Sequence, residues 1–229
     1  MKTYGQYCPI AKAAEIVGQR WTLLVIRELI FGEAGFNEIA RGLPGISRTI
    51  LTERLRHLVD LGIVERRDGR YRLTSAGRQL GDALHQLGDW VARWIIEDPA
   101  PAELDPELLG LWLSRHVAPD ELPFRRVVVD FDLTGPRSGR IWLVLERGSE
   151  PSVCLTDPCL NEDAYLYVQA ETRELYRVYM GRLDLPTAIG NGAVRLDGAP
   201  ALVRQFRRWF TWSAFAPTVR AAAAQRQAS

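Results

Sequence analysis

Hydrophobic residues in the first 97 positions recur mostly at helical spacing. The pattern predicts five helices, at Pro9–Val17, Arg20–Phe31 and Phe36–Ala40, from Ser47 to about Leu61, and from Ala76 to about Ile96. Between the last two helices, Ile63–Arg67 and Arg70–Leu73 are typical of two strands. Asp68 and Gly69 separate these strands and favour the two-residue turn of a β-hairpin, because both positions of that turn need a positive φ.

Beyond residue 97 the pattern changes to strands that alternate with helices. Strands are predicted at Arg125–Leu133, Arg140–Leu145, Ser152–Thr156, Ala164–Ala170 and Val194–Asp197, and helices at Leu104–His116, Glu171–Met180 and Pro200–Phe210. Pro99 and Pro101 indicate a linker, since proline disfavours helix and lacks an amide donor. The predicted class is α+β, with a helical domain at 1–97, a linker at 98–106, an α/β domain at 107–216 and a tail at 217–229. Within the tail, Ala221–Ser229 is low in complexity and is either a frayed helix or disordered.

The third and fourth predicted helices, with the turn at Leu43–Gly45 between them, have the layout of a helix-turn-helix. Ser47 is a good N-cap for the fourth helix, because its hydroxyl accepts from an amide of the first turn. On a helical wheel, Leu51, Leu55 and Leu58 share the side that faces the core. The opposite side and the helix N-terminus carry residue types that suit base edges and phosphates. The DNA contacts predicted on this helix are Ser47, Arg48, Thr49, Thr52, Glu53 and Arg56.

The hairpin that follows the fourth helix is strongly basic, with Arg66, Arg67, Arg70 and Arg72 on or beside its turn. A basic hairpin in this place acts as a wing that touches phosphates or the minor groove. An ordinary amphipathic helix with a solvated face is the simpler reading of the fourth helix alone. The turn and the hairpin favour a winged helix-turn-helix that binds double-stranded DNA.

Six ordered motifs in this part of the chain resemble the HxlR family of bacterial regulators. They are Tyr7–Ile10, Gly18–Leu29, Phe36–Ile39, Leu43–Ser47, Leu51–Leu55 and Tyr71–Gly77. The resemblance covers about residues 4–96 and implies a homodimer joined through the first and last helices of the domain, with each fourth helix in a major groove. It also implies repression as the output. The turn Asp68-Gly69 is shorter than the proline-bearing wing frequent in the family, so phosphate contact is the role expected for this hairpin.

The fifth helix supports a dimer on its own pattern. Its apolar residues recur at spacings of four, three, four and four, which is typical of a coiled-coil-like seam. The seam residues are Leu80, Leu84, Leu87, Val91 and Ile95. A dimer predicts two recognition helices ~34 Å apart and an inverted-repeat operator. The alternative is that the stripe packs only on its own domain.

The second domain resembles the sterol-carrier-protein-like fold, in which helices and a sheet surround an apolar cavity. The resemblance rests on the strand at Ala164–Ala170, the helix at Thr172–Met180, and the stretch from Leu185 through Val194–Gly198 to the closing helix. It implies a domain that binds an apolar ligand without catalysis, here an effector. Aromatic side chains suit such a pocket, although plain core packing is the alternative for each one. The candidates are Trp112, Phe131, Trp142, Tyr165, Tyr167, Tyr176, Tyr179 and Trp209.

Composition and the spacing of reactive residues limit the other functions that the chain could have. The net charge of +1 combines 14 basic and 11 acidic residues in 1–97 with 15 basic and 17 acidic residues in the remainder, which fits a DNA module joined to a sensor module. Cys154 and Cys159 have no partner at metal-ligand spacing, and no nucleophilic triad or glycine-rich phosphate loop is present. We therefore expect no metal, no cofactor and no enzymatic activity. Neither an export signal nor a membrane span is recognisable, so a cytoplasmic location in a bacterium is expected.

Two other functions stay open. Cys8 precedes the first helix, whose positive end would lower the thiol pKa, and it resembles the family cysteine that senses electrophiles or oxidants in some members. The chain would then be a redox regulator, although a packed and inert thiol is the simpler reading. The second alternative belongs to another class of function. The protein would be a carrier of an apolar ligand, and its helical domain would serve only for dimerisation.

Overall fold

The computed structural model describes residues 3–95 and 97–227. The chain divides into two compact units, residues 1–88 and 89–229. Sequence predictions that fall on residues 1, 2, 96, 228 and 229, among them the end of the fifth helix at Ile96, lie outside the described residues.

The elements of the first unit follow the predicted order. They are α1 (Pro9–Val17), α2 (Thr22–Ile30), β1 (Ala34–Gly35), α3 (Phe36–Arg41), α4 (Arg48–Asp60), β2 (Val64–Arg67), β3 (Arg70–Leu73) and α5 (Ser75–Trp94), whose last turns belong to the second unit. Trp21 has a φ of 78°, so α2 begins after it and not at Arg20. The short strand β1 was not predicted. It pairs with β3 and makes a three-stranded sheet of order β1-β3-β2.

The core of the first unit comes from one side of each helix. Val25 and Ile26 of α2, Ile39 of α3, and Leu51 and Leu58 of α4 are fully buried together. Leu51 and Leu58 lie at the inward positions that helical spacing predicts for α4. Burial of side chains of this size favours the fold by about 1.5–3 kcal/mol each.

The second unit contains a five-stranded sheet and further helices. Its elements after α5 are α6 (Pro106–Arg115), β4 (Val127–Thr134), β5 (Gly139–Leu145), β6 (Ser152–Cys154), β7 (Tyr165–Glu171), α7 (Thr172–Tyr179), α8 (Leu185–Gly190), β8 (Val194–Gly198), α9 (Pro200–Phe206) and α10 (Ala216–Gln227). The strand order is β6-β5-β4-β7-β8; β4 and β7 are parallel and the other neighbours antiparallel. The predicted α+β class is confirmed.

The two faces of this sheet differ because side chains alternate along each strand. Val127, Val129 and Phe131 of β4 point into the apolar core that the helices share. Asp130 points to the other face, where both oxygens of its buried carboxylate accept from Arg140 at 2.9 and 2.8 Å. A bidentate pair of this kind offsets part of the cost of burying a charge.

Three segments of the second unit differ from the prediction, and a fourth, at the carboxy-terminal end, decides between the two alternatives left open. The last predicted helix ends at Phe206 and not at Phe210, and Leu185–Gly190 is helical. The carboxy-terminal segment is a helix up to Gln227, because Val219 and Ala222 are buried and hold it in place. The predicted linker at 98–106 lies inside the second unit.

Among residues 3–95 and 97–227, no helix combines the length and the apolar character that a membrane crossing requires.

Candidate nucleic-acid interface

Helix α4 carries a polar face opposite an apolar face that is completely buried. Leu51, Leu55 and Leu58 are at most 1% exposed and anchor the helix in the core. The Ser47 hydroxyl accepts a hydrogen bond from the Ile50 amide at 3.2 Å, so the predicted N-cap is present. The predicted orientation of α4 is confirmed, and its polar face has a fixed direction.

The six residues of α4 and its N-cap that were predicted to contact DNA are all exposed. Thr49, Glu53 and Arg56 make no hydrogen bond or ion pair with another described residue, so their polar groups are available to a partner. The Thr52 hydroxyl donates to the Arg48 carbonyl at 2.8 Å and is already occupied. DNA contact by these residues stays a prediction.

Arg48 joins α4 to α3. Its guanidinium donates to the Asn37 side-chain oxygen at 3.3 Å and lies 4.9 Å from the centre of the Phe36 ring. Arg48 therefore fixes the angle between the two helices of the helix-turn-helix, in addition to any contact with phosphate.

A buried ion pair lies behind the turn of the helix-turn-helix, and the sequence analysis did not identify it. The Glu28 carboxylate is buried and accepts from Arg27 at 2.8 and 3.0 Å. The same guanidinium donates to the Gly42 carbonyl at 2.9 Å, at the end of α3. The guanidinium thus connects the buried carboxylate of α2 to the end of α3, directly before the turn. The only sequence signal is a charged residue on the inward side of α2.

The hairpin β2–β3 has the predicted turn, since Asp68 and Gly69 have φ angles of 49° and 79°. Arg66 and Arg67 are exposed on its first strand. Arg66 lies 5.6 Å from the centre of the Tyr71 ring, and Arg67 is 3.7 Å from the Asp68 carboxylate, both in solvent. A surface pair of this kind holds a side chain only weakly. These two arginines are the wing residues available to a phosphate.

The other two wing arginines are engaged inside the domain. Arg70 forms ion pairs with Glu38 at 2.8 Å and Glu33 at 3.0 Å, and the Glu38 hydrogen bond raises the pKa of its guanidinium. Arg72 pairs with Glu65 at 2.7 Å. Arg70 therefore joins β3 to the helix-turn-helix, and its predicted DNA contact is untested.

Apolar side chains on α1 and α5 are exposed. Tyr7 and Ile10 are 100% and 79% exposed, and α1 buries none of its residues. In the α5 seam, Leu80, Leu84 and Val91 are partly buried and Leu87 and Ile95 are exposed. The seam is thus split, because Leu80 and Leu84 pack on the core of their own unit. The sequence analysis missed two exposed tryptophans on this helix, Trp90 and Trp94.

Comparison with known proteins places this domain in a family. The family model described as HxlR-like helix-turn-helix matches residues 16–99. The HTH-type transcriptional regulator YvaP of Bacillus subtilis is 34% identical over 103 residues, and the match covers 42% of this chain and 94% of YvaP. The chain belongs to the HxlR-like helix-turn-helix family.

Two further proteins are similar to the same part of the chain. The HTH-type transcriptional regulator MT3179 of Mycobacterium tuberculosis is 41% identical over 99 residues, which are 40% of this chain, and this chain spans only 62% of the length of that relative. The crystal structure of quinone-bound YodB from B. subtilis shares 35% identity, covers 38% of this chain and 100% of YodB, and has a TM-score of 0.37. The HxlR-like part of the chain is a helix-turn-helix domain of the kind found in transcriptional regulators.

The Cys8 thiol lies at the start of α1 in this HxlR-like domain and is exposed. The backbone amides of Ala11 and Ile10, in the first turn of α1, favour the thiolate and hold the pKa of Cys8 below its ordinary value. The predicted direction of the shift is therefore confirmed. Whether Cys8 reacts with oxidants is a separate prediction.

The aromatic residues proposed to line one pocket of the second unit do not converge. Phe131 and Trp209 are at most 1% exposed and are plain core residues. Strand alternation directs Tyr165 and Tyr167 to the opposite side of the sheet from Phe131, where their rings stack 5.8 Å apart. Trp142 alternates with the core residues of β5 and faces that side too.

Two of the eight aromatic candidates, as far as the described residues show, line a common cavity in the second unit. Trp112 of α6 and Tyr176 of α7 border a cavity of about 560 Å³. Tyr179 lies behind Trp112, with the two ring centres 6.0 Å apart. The single aromatic pocket expected from sequence is therefore corrected to a smaller group at α6 and α7.

Proposed function

We propose that the protein is a homodimeric, sequence-specific DNA-binding transcriptional regulator that represses its targets through α4. The observation that carries the proposal is the exposed and unpaired set Thr49, Glu53 and Arg56 on a helix anchored by three buried leucines. Arginine recognises guanine, glutamate accepts from cytosine, and a threonine methyl packs on thymine. Such a face reads bases when the helix enters a major groove.

A binding experiment with selected operator DNA tests base reading. The full-length protein is first used to enrich tight sites from random duplexes, and affinities for the best site and for single-base variants are then measured by fluorescence anisotropy at fixed salt. Arg56→Ala should lose about 1–3 kcal/mol of discrimination at one base pair, which is about fivefold to 150-fold in affinity ratio. Asp60→Ala, an exposed change at the far end of the same helix, is the control and should keep the preference.

Two outcomes would contradict the proposal. Enrichment of no sequence at all would favour the carrier function, in which the helical domain serves only for dimerisation. An unchanged preference in both Arg56→Ala and Thr49→Ala would mean that α4 does not read the bases. A reporter gene downstream of the enriched site should lose expression when the protein is supplied, and a rise in expression would refute repression.

The exposed apolar residues of α1 and α5 support the homodimer. Groups of large apolar side chains on a protein surface commonly mark a site where another protein binds. Leu87 and Ile95 of the predicted seam are about half exposed, at 48% and 57%. Leu87→Glu should convert the dimer to a monomer in native mass spectrometry, whereas Gln86→Glu, an exposed neighbour, should not. A wild-type monomer would contradict the inverted-repeat operator.

For the second unit, we propose a sterol-carrier-like fold that binds an apolar effector. A five-stranded sheet with helices packed on one face and a cavity bordered by Trp112 and Tyr176 support it. An effector changes DNA affinity only through its different affinity for two arrangements of the dimer. Native mass spectrometry of freshly purified protein should show the mass of a co-purified small molecule. If a wide panel of apolar compounds leaves operator affinity unchanged, effector control is wrong.

Redox control through Cys8 is a second candidate, favoured by the exposed thiol and its lowered pKa at the start of α1. A larger thiolate fraction at neutral pH speeds oxidation. Hydrogen peroxide should lower operator affinity in the wild type and not in Cys8→Ser. Cys159→Ser is the matched control, since it removes an exposed thiol of the second unit. An equal peroxide response in Cys8→Ser would exclude this candidate.

A further inference from the structure

A cavity of about 560 Å³ lies between the segment that follows α5 and the helices α6 and α7 of the second unit. The lining residues are Ile95, Glu97, Asp98, Pro99, Ala100, Glu103, Leu104, Asp105, Leu108, Leu109, Trp112, Thr172 and Tyr176. The volume falls within the range of about 300–1,000 Å³ that is usual for small-molecule sites. All of these residues belong to one compact unit.

The outer wall of the cavity is a segment held in place by charge. The Asp98 carboxylate accepts from Arg177 at 2.6 and 2.9 Å and from Arg182 at 2.9 Å. Burial by itself would raise the pKa of Asp98, but these two arginines lower it below its ordinary value, so the ion pairs persist at neutral pH. The segment after α5 is therefore fixed across α7, and the cavity beneath it has a defined shape.

The inner wall is apolar and aromatic. Leu104 and Leu109 are 2% and 3% exposed and form its base. The Trp112 ring is supported from behind by Tyr179. Tyr176 is half-buried, and desolvation raises the pKa of its hydroxyl, which stays neutral. Aromatic rings in this setting offer flat apolar contact and a π-face to a cation.

Every ionisable lining side chain among the described residues, apart from the neutral tyrosine, is a carboxylate. Asp98 and Asp105 are balanced by arginines, the latter by Arg137 at 3.1 Å. Glu97 and Glu103 form no ion pair with a described residue, although Glu103 accepts from the Ala100 amide at 2.7 Å. Both carboxylates belong to exposed residues, so solvent screens their charges, but an anion that entered the cavity would still be repelled by them and a cation attracted.

We propose that this cavity binds an apolar organic cation. The apolar body of the ligand packs on Trp112 and Tyr176, and its amine or onium group lies near Glu97 and Glu103. The charge selects against fatty acids and other anionic lipids of similar size.

The site has a consequence for DNA binding, and that consequence rests on the proposed function. The cavity is bordered by Ile95 and by residues between Glu97 and Asp105, which follow α5 in the chain, and Leu87 and Val91 of α5 belong to the predicted dimer seam. A ligand that packs on this wall favours one conformation of the segment after α5. If the ligand has different affinities for two arrangements of the dimer, it changes operator affinity by some factor, and operator DNA then changes ligand affinity by the same factor.

The test uses two ions of nearly equal size and shape and opposite charge. Tetraphenylphosphonium and tetraphenylborate are titrated by calorimetry into the full-length protein without DNA. The cation should bind with one site per chain and at least tenfold more tightly than the anion. Glu97→Gln with Glu103→Gln should weaken cation binding at least tenfold and bring the two affinities together. Glu107→Gln, which removes an exposed carboxylate outside the cavity, is the control and should change neither affinity.

The outcomes separate the site from the proposed function. Equal affinities in the wild type, tighter binding of the borate, or no cation binding at all would overturn the proposal. Tyr176→Leu should weaken both ions, and unchanged binding in that variant would overturn the assignment to this cavity. Operator affinity is then measured with and without tetraphenylphosphonium. Binding of the cation without a change in operator affinity supports the site and contradicts its role as the effector site, whereas absence of any operator overturns the proposed function and leaves the titration result intact.

Discussion

The substitution Gly42→Ala probes how the turn of the helix-turn-helix is held. Gly42 follows α3 with a φ of −76° and a ψ of −2°, a conformation that alanine adopts without strain. The obstacle is space, because a Cβ at this position would lie 1.7 Å from Glu28 Oε2 and 2.3 Å from Glu28 Cδ. Glu28 is 2% exposed, and Arg27 holds its carboxylate in place.

The expected cost follows from the two ways of relieving this overlap. If the Glu28 carboxylate turns away from Arg27, a buried charge loses its partner, which costs about 3–5 kcal/mol. If α3 and the turn move instead, overpacking costs about 1–3 kcal/mol. Replacement of glycine reduces the entropy of the unfolded chain and returns about 0.4–1 kcal/mol. After this gain is subtracted, the first route costs about 2–4.6 kcal/mol and the second about 0–2.6 kcal/mol. The cheaper route sets the result, so we expect the first unit to lose up to about 2.6 kcal/mol of unfolding free energy.

Hydrogen exchange of the full-length protein, followed by mass spectrometry on peptides from α2 and α4, measures this loss without assuming that the whole chain unfolds in one step. Gly35→Ala is the matched control, because its φ is −77° and its Cβ would meet Glu38 Cδ at an ordinary 3.8 Å. The control should change the opening free energy by less than about 1 kcal/mol. Operator affinity should fall in Gly42→Ala and stay near the wild-type value in Gly35→Ala.

The reasoning fails if Gly42→Ala is as stable as Gly35→Ala, since Glu28 would then not be held against the turn. A double-mutant cycle sharpens the result. Glu28→Ala makes room for the new methyl group, so the costs of Glu28→Ala and Gly42→Ala should be far from additive. Additive costs would place the damage of Gly42→Ala elsewhere.

Three further predictions concern the first unit. The Thr3 hydroxyl and the Tyr4 amide both donate to the Glu15 carboxylate and lower its pKa from an ordinary 4.5 to about 2. These hydrogen bonds, which attach the segment before α1 to that helix, should therefore persist above pH 4.5 and be lost as pH falls through about 2. An NMR titration of Tyr4 with a midpoint near 4.5 would refute this prediction. Gly77→Ala places a Cβ 2.1 Å from a backbone carbonyl oxygen just before β2. The substitution should lower the unfolding free energy by about 1–3 kcal/mol in the same exchange assay. If no stability is lost, the backbone moves to make room for the methyl group and the prediction is wrong. Arg67→Ala should weaken binding to every DNA sequence alike and reduce the slope of log affinity against log salt by about 1, whereas a sequence-dependent loss would make Arg67 a base reader.

Local patterns in the sequence were sufficient to predict most helices and strands of the first unit. Helical spacing identified the buried leucines of α4, and Ser47 marked where the helix begins. Asp68 and Gly69 identified the hairpin turn, because few residues adopt the positive φ that this turn requires. These features depend on neighbours within about one or two helical turns, which the sequence displays directly.

Tertiary structure decided which side chains are available and where the cavity lies. Arg70 and Arg67 look alike in sequence, but Arg70 is bound by Glu38, 32 positions away, and Arg67 is not. Asp98, in the predicted linker, meets Arg177 across 79 positions and makes the linker a wall of the second unit. Aromatic residues that seemed to form one pocket were divided by strand alternation and core packing. Ion pairs and cavities depend on residues brought together from distant parts of the chain. Hydrophobic periodicity indicates which face of a helix or strand is buried, but it does not indicate which other element packs against that face.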